Sequence, residues 1–147
     1  MNSKNHPFFD NMPEAFVRKI ESFSRTGTLE SNSHVFHEAE DAKQVFLVLS
    51  GAIDLELHAP GKDAMIIETI GPGAILGASW LDASSKWQFD ARVKERADLF
   101  IIDSAPLKKA MSENHELGYL VLQKMSSTLL GRLQATRLRL LNLYGSR

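Results

Sequence analysis

Val45-Phe46-Leu47-Val48-Leu49-Ser50-Gly51-Ala52-Ile53-Asp54-Leu55-Glu56-Leu57 is the stretch whose pattern separates the possible folds. Its first five residues are apolar without a break, and Ser50-Gly51 closes the run. A run this short between turn residues suits a strand buried on both faces better than a helix. From Ala52 the chain alternates, with Ile53, Leu55 and Leu57 set against Asp54 and Glu56. That period of two predicts a second strand with one face to the core and the other to water.

The same character spreads outward in both directions. Val35-Phe36 is a short apolar run. Pro60-Gly61-Lys62-Asp63 reads as a turn, Met65-Ile66-Ile67-Glu68-Thr69-Ile70 as a strand, and Gly71-Pro72-Gly73 as a sharp loop. Phe89–Val93 alternates, and Leu99-Phe100-Ile101-Ile102 is a last apolar run. Residues 27–103 are therefore expected to form a barrel or roll of many short strands.

Helical spacing flanks this region. Pro13 and Glu14 open a stretch in which Phe16, Val17, Ile20 and Phe23 recur at helical intervals, predicting a helix over 12–24. Ser104 is the expected N-cap of a short helix through Met111, and Ser112-Glu113-Asn114-His115 a joint. Residues 115–143 then carry a heptad-like seam of Leu122, Met125, Leu129, Leu133, Thr136, Leu140 and Leu143. Leu130, Leu138 and Leu141 widen the apolar surface, so this helix is expected to pack on its own roll and on a second copy.

Composition narrows the function classes. The 147 residues carry a net charge of −1, 44% hydrophobic residues and no cysteine. Disulfides, thiolate metal sites and cysteine nucleophiles are excluded. The first residues, MNSKNHPFFDNMPE, lack the apolar core of a signal peptide. No apolar run approaches the roughly 20 residues that cross a bilayer. A cytoplasmic protein without membrane partners is expected.

Together these elements resemble the cyclic-nucleotide-binding domain of the catabolite-activator-like (Crp/Fnr) regulators over nearly the whole chain. His6-Pro7-Phe8-Phe9 with Met12-Pro13-Glu14 resembles the family's entry into its first helix, and Val45–Gly51 its strand-turn consensus. Gly71-Pro72-Gly73 and Gly77 match the glycines that open its phosphate-binding cassette. Asp103, Leu107 and Glu113-Asn114-His115-Glu116-Leu117 match the exit into the helical tail, and Arg132-Leu133-Gln134-Ala135-Thr136 resembles the dimer helix.

The resemblance implies an α+β fold: one domain over 1–147, with a double-stranded β-helix (a jelly-roll-like β-roll), an N-terminal helix and a helical tail over 104–143. It implies a homodimer through the 115–143 helix and a regulatory, signal-transducing role without catalysis. The candidate cassette comprises Gly73, Gly77, Ala78, Ser79, Lys86, Trp87 and Gln88, with Thr136 reaching in from the long helix. The ligand implied is cyclic AMP or cyclic GMP.

Two departures qualify that implication. A cyclic phosphate needs backbone N–H groups and a fixed cation, for which the arginine fork is suited. The family's arginine position falls on Trp87, and its ribose-binding glutamate position on Ala78. Lys86 supplies charge without a fork, and the direction of Arg92 is open. Losing a charge-assisted phosphate contact costs about 1.5–3 kcal/mol, so weak or absent nucleotide binding is expected. The sequence also stops at Arg147, where those regulators continue into a winged helix-turn-helix. Direct DNA binding is thus not expected, and the partner protein is unknown.

Other residues admit two readings each. Gly71, Gly73 and Gly77 either cradle an anion or let the roll turn corners. Trp80 and Trp87 either stack on a ligand or fill the pocket, the second reading giving a dimeric interaction module. Lys86, beside Ser84 and Ser85, reads as solvated. Thr136 either reaches a base or sets helix register. His34, His37 and His58 invite a cupin-like metal enzyme. Alternation along a strand, however, sends His34 and His37 to opposite faces without a bulge, so no metal site is expected. Arg132, Arg137, Arg139 and Arg147 read as a solvated helix face, and Asp82 with Asp90 as a carboxylate pair without geometry.

Overall fold

A computed structural model of the chain describes residues 2–82 and 85–145. Expectations at Ser84 and Arg147 lie outside them. Two 3-10 turns, Ser3–Asn5 and Pro7–Phe9, precede helix α1 (Glu14–Glu21). Strands β1 (Ser24–Leu29), β2 (His34–Phe36), β3 (Gln44–Leu57), β4 (Met65–Ile70) and β5 (Asp90–Asp103) follow. Helices α2 (Ser104–Glu113) and α3 (His115–Gly145) end the described chain.

The sheet is antiparallel in the order β1-β5-β3-β4, with β2 also paired to β5. It is an open, jelly-roll-like sheet and not a closed barrel, which settles the choice between barrel and roll. The two apolar runs around Ser50-Gly51 are halves of one 14-residue strand. Glycine is required where they join: Gly51 has φ +85°, and a Cβ there would stand 2.2 Å from the carbonyl oxygen of Arg96. The strand bulges at this point instead of ending, and its register against β5 shifts on either side. Phe89–Val93 and Leu99–Ile102 likewise belong to the single strand β5 apart from Phe89, which precedes it.

Two further boundaries move, and two carboxylates change sides. The first helix is shorter than 12–24, because the main chain from Ser24 is taken into β1 by pairing with Ile102. Ser104 is the first residue of α2, not its cap. Its buried hydroxyl donates to the carbonyl of Lys43 at 2.8 Å, tying α2 to the start of β3. Asp54 and Glu56, expected to face water, are buried. Asp54 accepts from Thr69 Oγ1 at 2.5 Å, and Glu56 Oε2 accepts from Arg92 Nε and Nη2 at 3.0 and 2.6 Å. That pairing also settles the direction of Arg92.

The core is one cluster, from Phe8, Phe9 and Ile20 through Leu47, Ile53, Leu55, Leu76 and Leu99 to Leu107 and Val121. Helix α3 joins it only by its first turns, where Leu117, Gly118, Val121 and Met125 are buried. Met125, placed on the dimer seam by spacing, faces its own chain. Beyond it Leu129, Leu130, Leu133, Leu138, Leu140, Leu141 and Leu143 are all exposed. At about 1.5 Å per residue, the 20 residues after Met125 extend roughly 30 Å.

Candidate functional site

The loop after β4 is laid along the free edge of β3. Gly73 N donates to Val48 O, Val48 N to Ala74 O, and Leu76 N to Phe46 O, each at 2.9–3.0 Å. Gly73 has φ +90°, and a Cβ there would lie 3.6 Å from Cγ of Pro7. His6 locks this contact from the other side. Its Nδ1 accepts from Phe8 N–H at 3.0 Å and its Nε2 donates to Ala74 O at 3.1 Å, which fixes the tautomer. The ring is fully buried, and that burial holds its pKa below the ordinary value, against opposing contributions from the Ala74 bond and the Asp10 charge. The His6-Pro7-Phe8 segment is therefore part of the site, a role its sequence reading as an entry to the first helix did not include.

The glycine at 77 serves close approach. A Cβ there would lie 2.7 Å from the ζ3 carbon of Trp87 and 3.6 Å from the ζ carbon of Phe89. Trp87 is 3% exposed and stacks on Phe36, with ring centroids 3.9 Å apart and planes within 5°. Phe46 and Phe89 pack around the same pair. Ala78 precedes the 3-10 turn Ser79–Leu81, which buries Trp80 completely.

The polar cassette candidates point elsewhere. Lys86 Nζ donates to Asp41 Oδ1 at 2.9 Å and is more than half exposed. That bond and the charge of Lys86, then that of Lys43, hold the Asp41 carboxyl below its ordinary range. Gln88 Nε2 donates back to Lys86 O at 3.0 Å. Thr136 is exposed on α3. Gly77, Ala78, Ser79 and Trp87 are thus gathered in one place, while the charged and amide side chains lie on the surface.

A cavity of about 410 Å³ opens where the roll meets α3. Pro7, Ile70, Gly73, Ile75, Thr128 and Arg132 are among its lining residues. Arg132, expected on a solvated face, is turned inward: it donates to Ile75 O and lies 3.8 Å from Glu68. Burial lowers its pKa from the ordinary arginine value and Glu68 opposes the shift. Its place in the Arg132–Thr136 run was the one signal that could have marked it.

The histidine reading needs the largest correction. His34 and His37 are together, their rings stacked at 4.2 Å. Strand β2 ends at Phe36 and its register shifts between His34 and Phe36, so alternation does not reach His37. Asp90, read with Asp82 as a pair without geometry, instead stands beside the histidines: His58 Nδ1 is 3.0 Å from its Oδ2 and His37 Nδ1 is 4.0 Å from its Oδ1.

The model of the cyclic nucleotide-binding domain matches residues 27–114. The chain belongs to the cyclic nucleotide-binding domain family. An anaerobic regulatory protein of Bacillus subtilis is 27% identical over 143 residues, which cover 86% of this chain and 60% of that protein. The chain thus spans about 60% of the length of that curated relative. Among solved structures, a cyclic nucleotide-binding domain from Methylobacillus flagellatus superposes with a TM-score of 0.80 at 20% identity, over 90% of this chain and 75% of the other. The Thermus thermophilus catabolite activator protein gives 0.73 at 21%, over 94% and 63%. These likenesses establish the fold. No helix among the described residues is long and apolar enough to cross a membrane.

Proposed function

We propose that residues 1–147 act as one regulatory, non-catalytic sensing module of the cytoplasm, whose cassette binds cyclic AMP and cyclic GMP weakly or not at all. The observation that carries this reading is the Trp87 ring. It lies against Gly77, sandwiched with Phe36, at the position where the family resemblance calls for an arginine. A phosphate entering there would meet an indole in place of a cation, with Ala78 where a ribose acceptor is needed. Lys86 is already engaged with Asp41.

Signal transmission in this reading runs through α3. The roll holds the first turns of that helix, and Arg132 crosses the cavity to Ile75 and Glu68. A ligand in this 410 Å³ space would act on the helix only if it bound one helix position better than another. The exposed leucines beyond Met125 supply an apolar face for pairing with a second copy. The filled cassette and that face equally favour a second reading, a dimeric protein-interaction module with a closed pocket.

Thermal-shift titration with cyclic AMP, cyclic GMP and cyclic dinucleotides separates these readings from an ordinary nucleotide sensor. A ligand at 100 times its Kd stabilises the fold by about 2.7 kcal/mol. No shift at millimolar cyclic AMP or cyclic GMP is expected. A clear shift with either would overturn the proposal.

A further inference from the structure

Four side chains from three segments of the chain converge where β2 meets the start of β5. His34 comes from β2, His37 from the turn after it, His58 from just beyond β3, and Asp90 from the start of β5. The ligand atoms of His34, His37 and Asp90 all lie within 4.8 Å of one another. We propose that His34, His37 and Asp90 form a binding site for one divalent first-row transition metal ion, with His58 orienting the carboxylate.

The donor set suits such an ion. Two imidazoles and one carboxylate are the facial ligand set of borderline divalent metals, and oxygen-preferring magnesium or calcium is poorly served by it. Asp90 is held for the task. Its side chain is 10% exposed, Oδ1 accepts from the backbone N–H of Glu38 at 2.7 Å, and Oδ2 faces His58 Nδ1 at 3.0 Å. Such outer contacts fix a ligating carboxylate and leave its remaining lone pairs for the ion. His37 Nδ1, 4.0 Å from Oδ1, is beyond hydrogen-bond distance, so that lone pair has not been taken by the ring. Ligand atoms about 2.0–2.1 Å from a tetrahedral zinc stand roughly 3.3 Å apart, so the three groups must draw together by about 1.5 Å at most. The His37 side chain is 58% exposed and can swing out of its stack with His34 to do so.

The position is not isolated from the cassette. The turn after His37 is bonded to the main chain of Trp87 on both sides, Ala39 N to Trp87 O and Trp87 N to Glu40 O, each at 2.9 Å. An ion drawing His37 onto Asp90 would pull on the segment that carries Trp87. The metal site itself does not depend on the nucleotide reading and stands or falls separately.

Calorimetric titration of the metal-stripped full chain with zinc chloride tests it, with cobalt(II) absorption as the report on ligand geometry. One zinc per chain with a Kd below about 10 µM is expected, and no response to magnesium. His37→Ala and His34→Ala should each weaken binding at least tenfold, and His58→Ala by about tenfold. His115→Ala, remote in sequence from the cluster, should change nothing. His37 is exposed, so its variant keeps the fold, which circular dichroism verifies. No zinc binding at 100 µM, or zinc binding that survives in the His34→Ala/His37→Ala double variant, would overturn the site.

Discussion

Replacing Gly77 with alanine puts a methyl carbon 2.7 Å from the ζ3 carbon of Trp87, about 1 Å inside ordinary contact. Gly77 is not in the left-handed region, so the penalty is steric and not conformational. The indole cannot retreat cheaply, because Phe36 stacks on it at 3.9 Å and Phe46 and Phe89 close the cage. Overpacking of this kind costs about 1–3 kcal/mol. Trp87→Leu should cost about 2–4 kcal/mol, somewhat less than full truncation of a buried tryptophan. In the double variant the clashing ring is gone and the new methyl fills part of the space. The combined loss should then fall short of the sum by about 1–3 kcal/mol, well beyond the roughly 0.5 kcal/mol scatter of independent sites. Urea unfolding at one fixed protein concentration, followed by circular dichroism, measures all four corners of the cycle. Additivity within 0.5 kcal/mol would refute the placement of Trp87 over Gly77.

Three other outcomes follow from the same packing. Gly51→Ala should cost at least about 3 kcal/mol, since overpacking against the Arg96 carbonyl adds to a left-handed φ, whereas Gly61→Ala, with a similar φ and open space around it, should cost only about 1–2 kcal/mol; thermal melts compare the two. His6 has a lowered pKa in the fold, so the unfolded chain binds its proton first and stability falls as pH drops below about 6.5 until the folded pKa is passed. His6→Gln should flatten stability across that window, while the carboxyls of Asp41 and Asp98, also lowered, take effect only below the ordinary aspartate value of 3.8; denaturation between pH 5 and 7 reads the difference. Leu133→Glu with Leu140→Glu, both at exposed α3 positions, should convert a dimer to a monomer in sedimentation velocity without changing the circular dichroism of the roll.

Much of the architecture was legible because apolar runs and turn residues are local signals. Val45–Leu49, Met65–Ile70 and Leu99–Ile102 all became strands where their patterns put them. What was not legible depended on contacts between distant segments. Ser50-Gly51 reads as an end, and only the approach of Arg96 shows it to be a bulge within one strand. Ser24-Arg25-Thr26-Gly27-Thr28-Leu29 has too little apolar character to read as a strand, yet it pairs with β5 along its length. Asp54 and Glu56 alternate as surface residues do, but Thr69 and Arg92 arrive from other strands to bury them.

The candidate site divides in the same way. The glycine loop could be read directly, since it concerns which residue occupies which position. The burial of Trp87 could not, because that depends on Phe36 reaching it across 51 residues of chain. The histidines were judged by strand alternation alone, which fails one residue after β2 ends. Arg132 was judged by its distance from the apolar seam, a rule that takes no account of a cavity on the neighbouring roll.

Calorimetric titration of the full chain with cyclic AMP, taken to 100 times the Kd of an ordinary micromolar sensor, measures occupancy of the cassette most directly. With Trp87 over Gly77 and Arg132 engaged with Ile75 O and Glu68, the heats should equal those of dilution. A one-site isotherm with one nucleotide per chain would mean that the indole yields its place, and the reading of a filled cassette would be wrong.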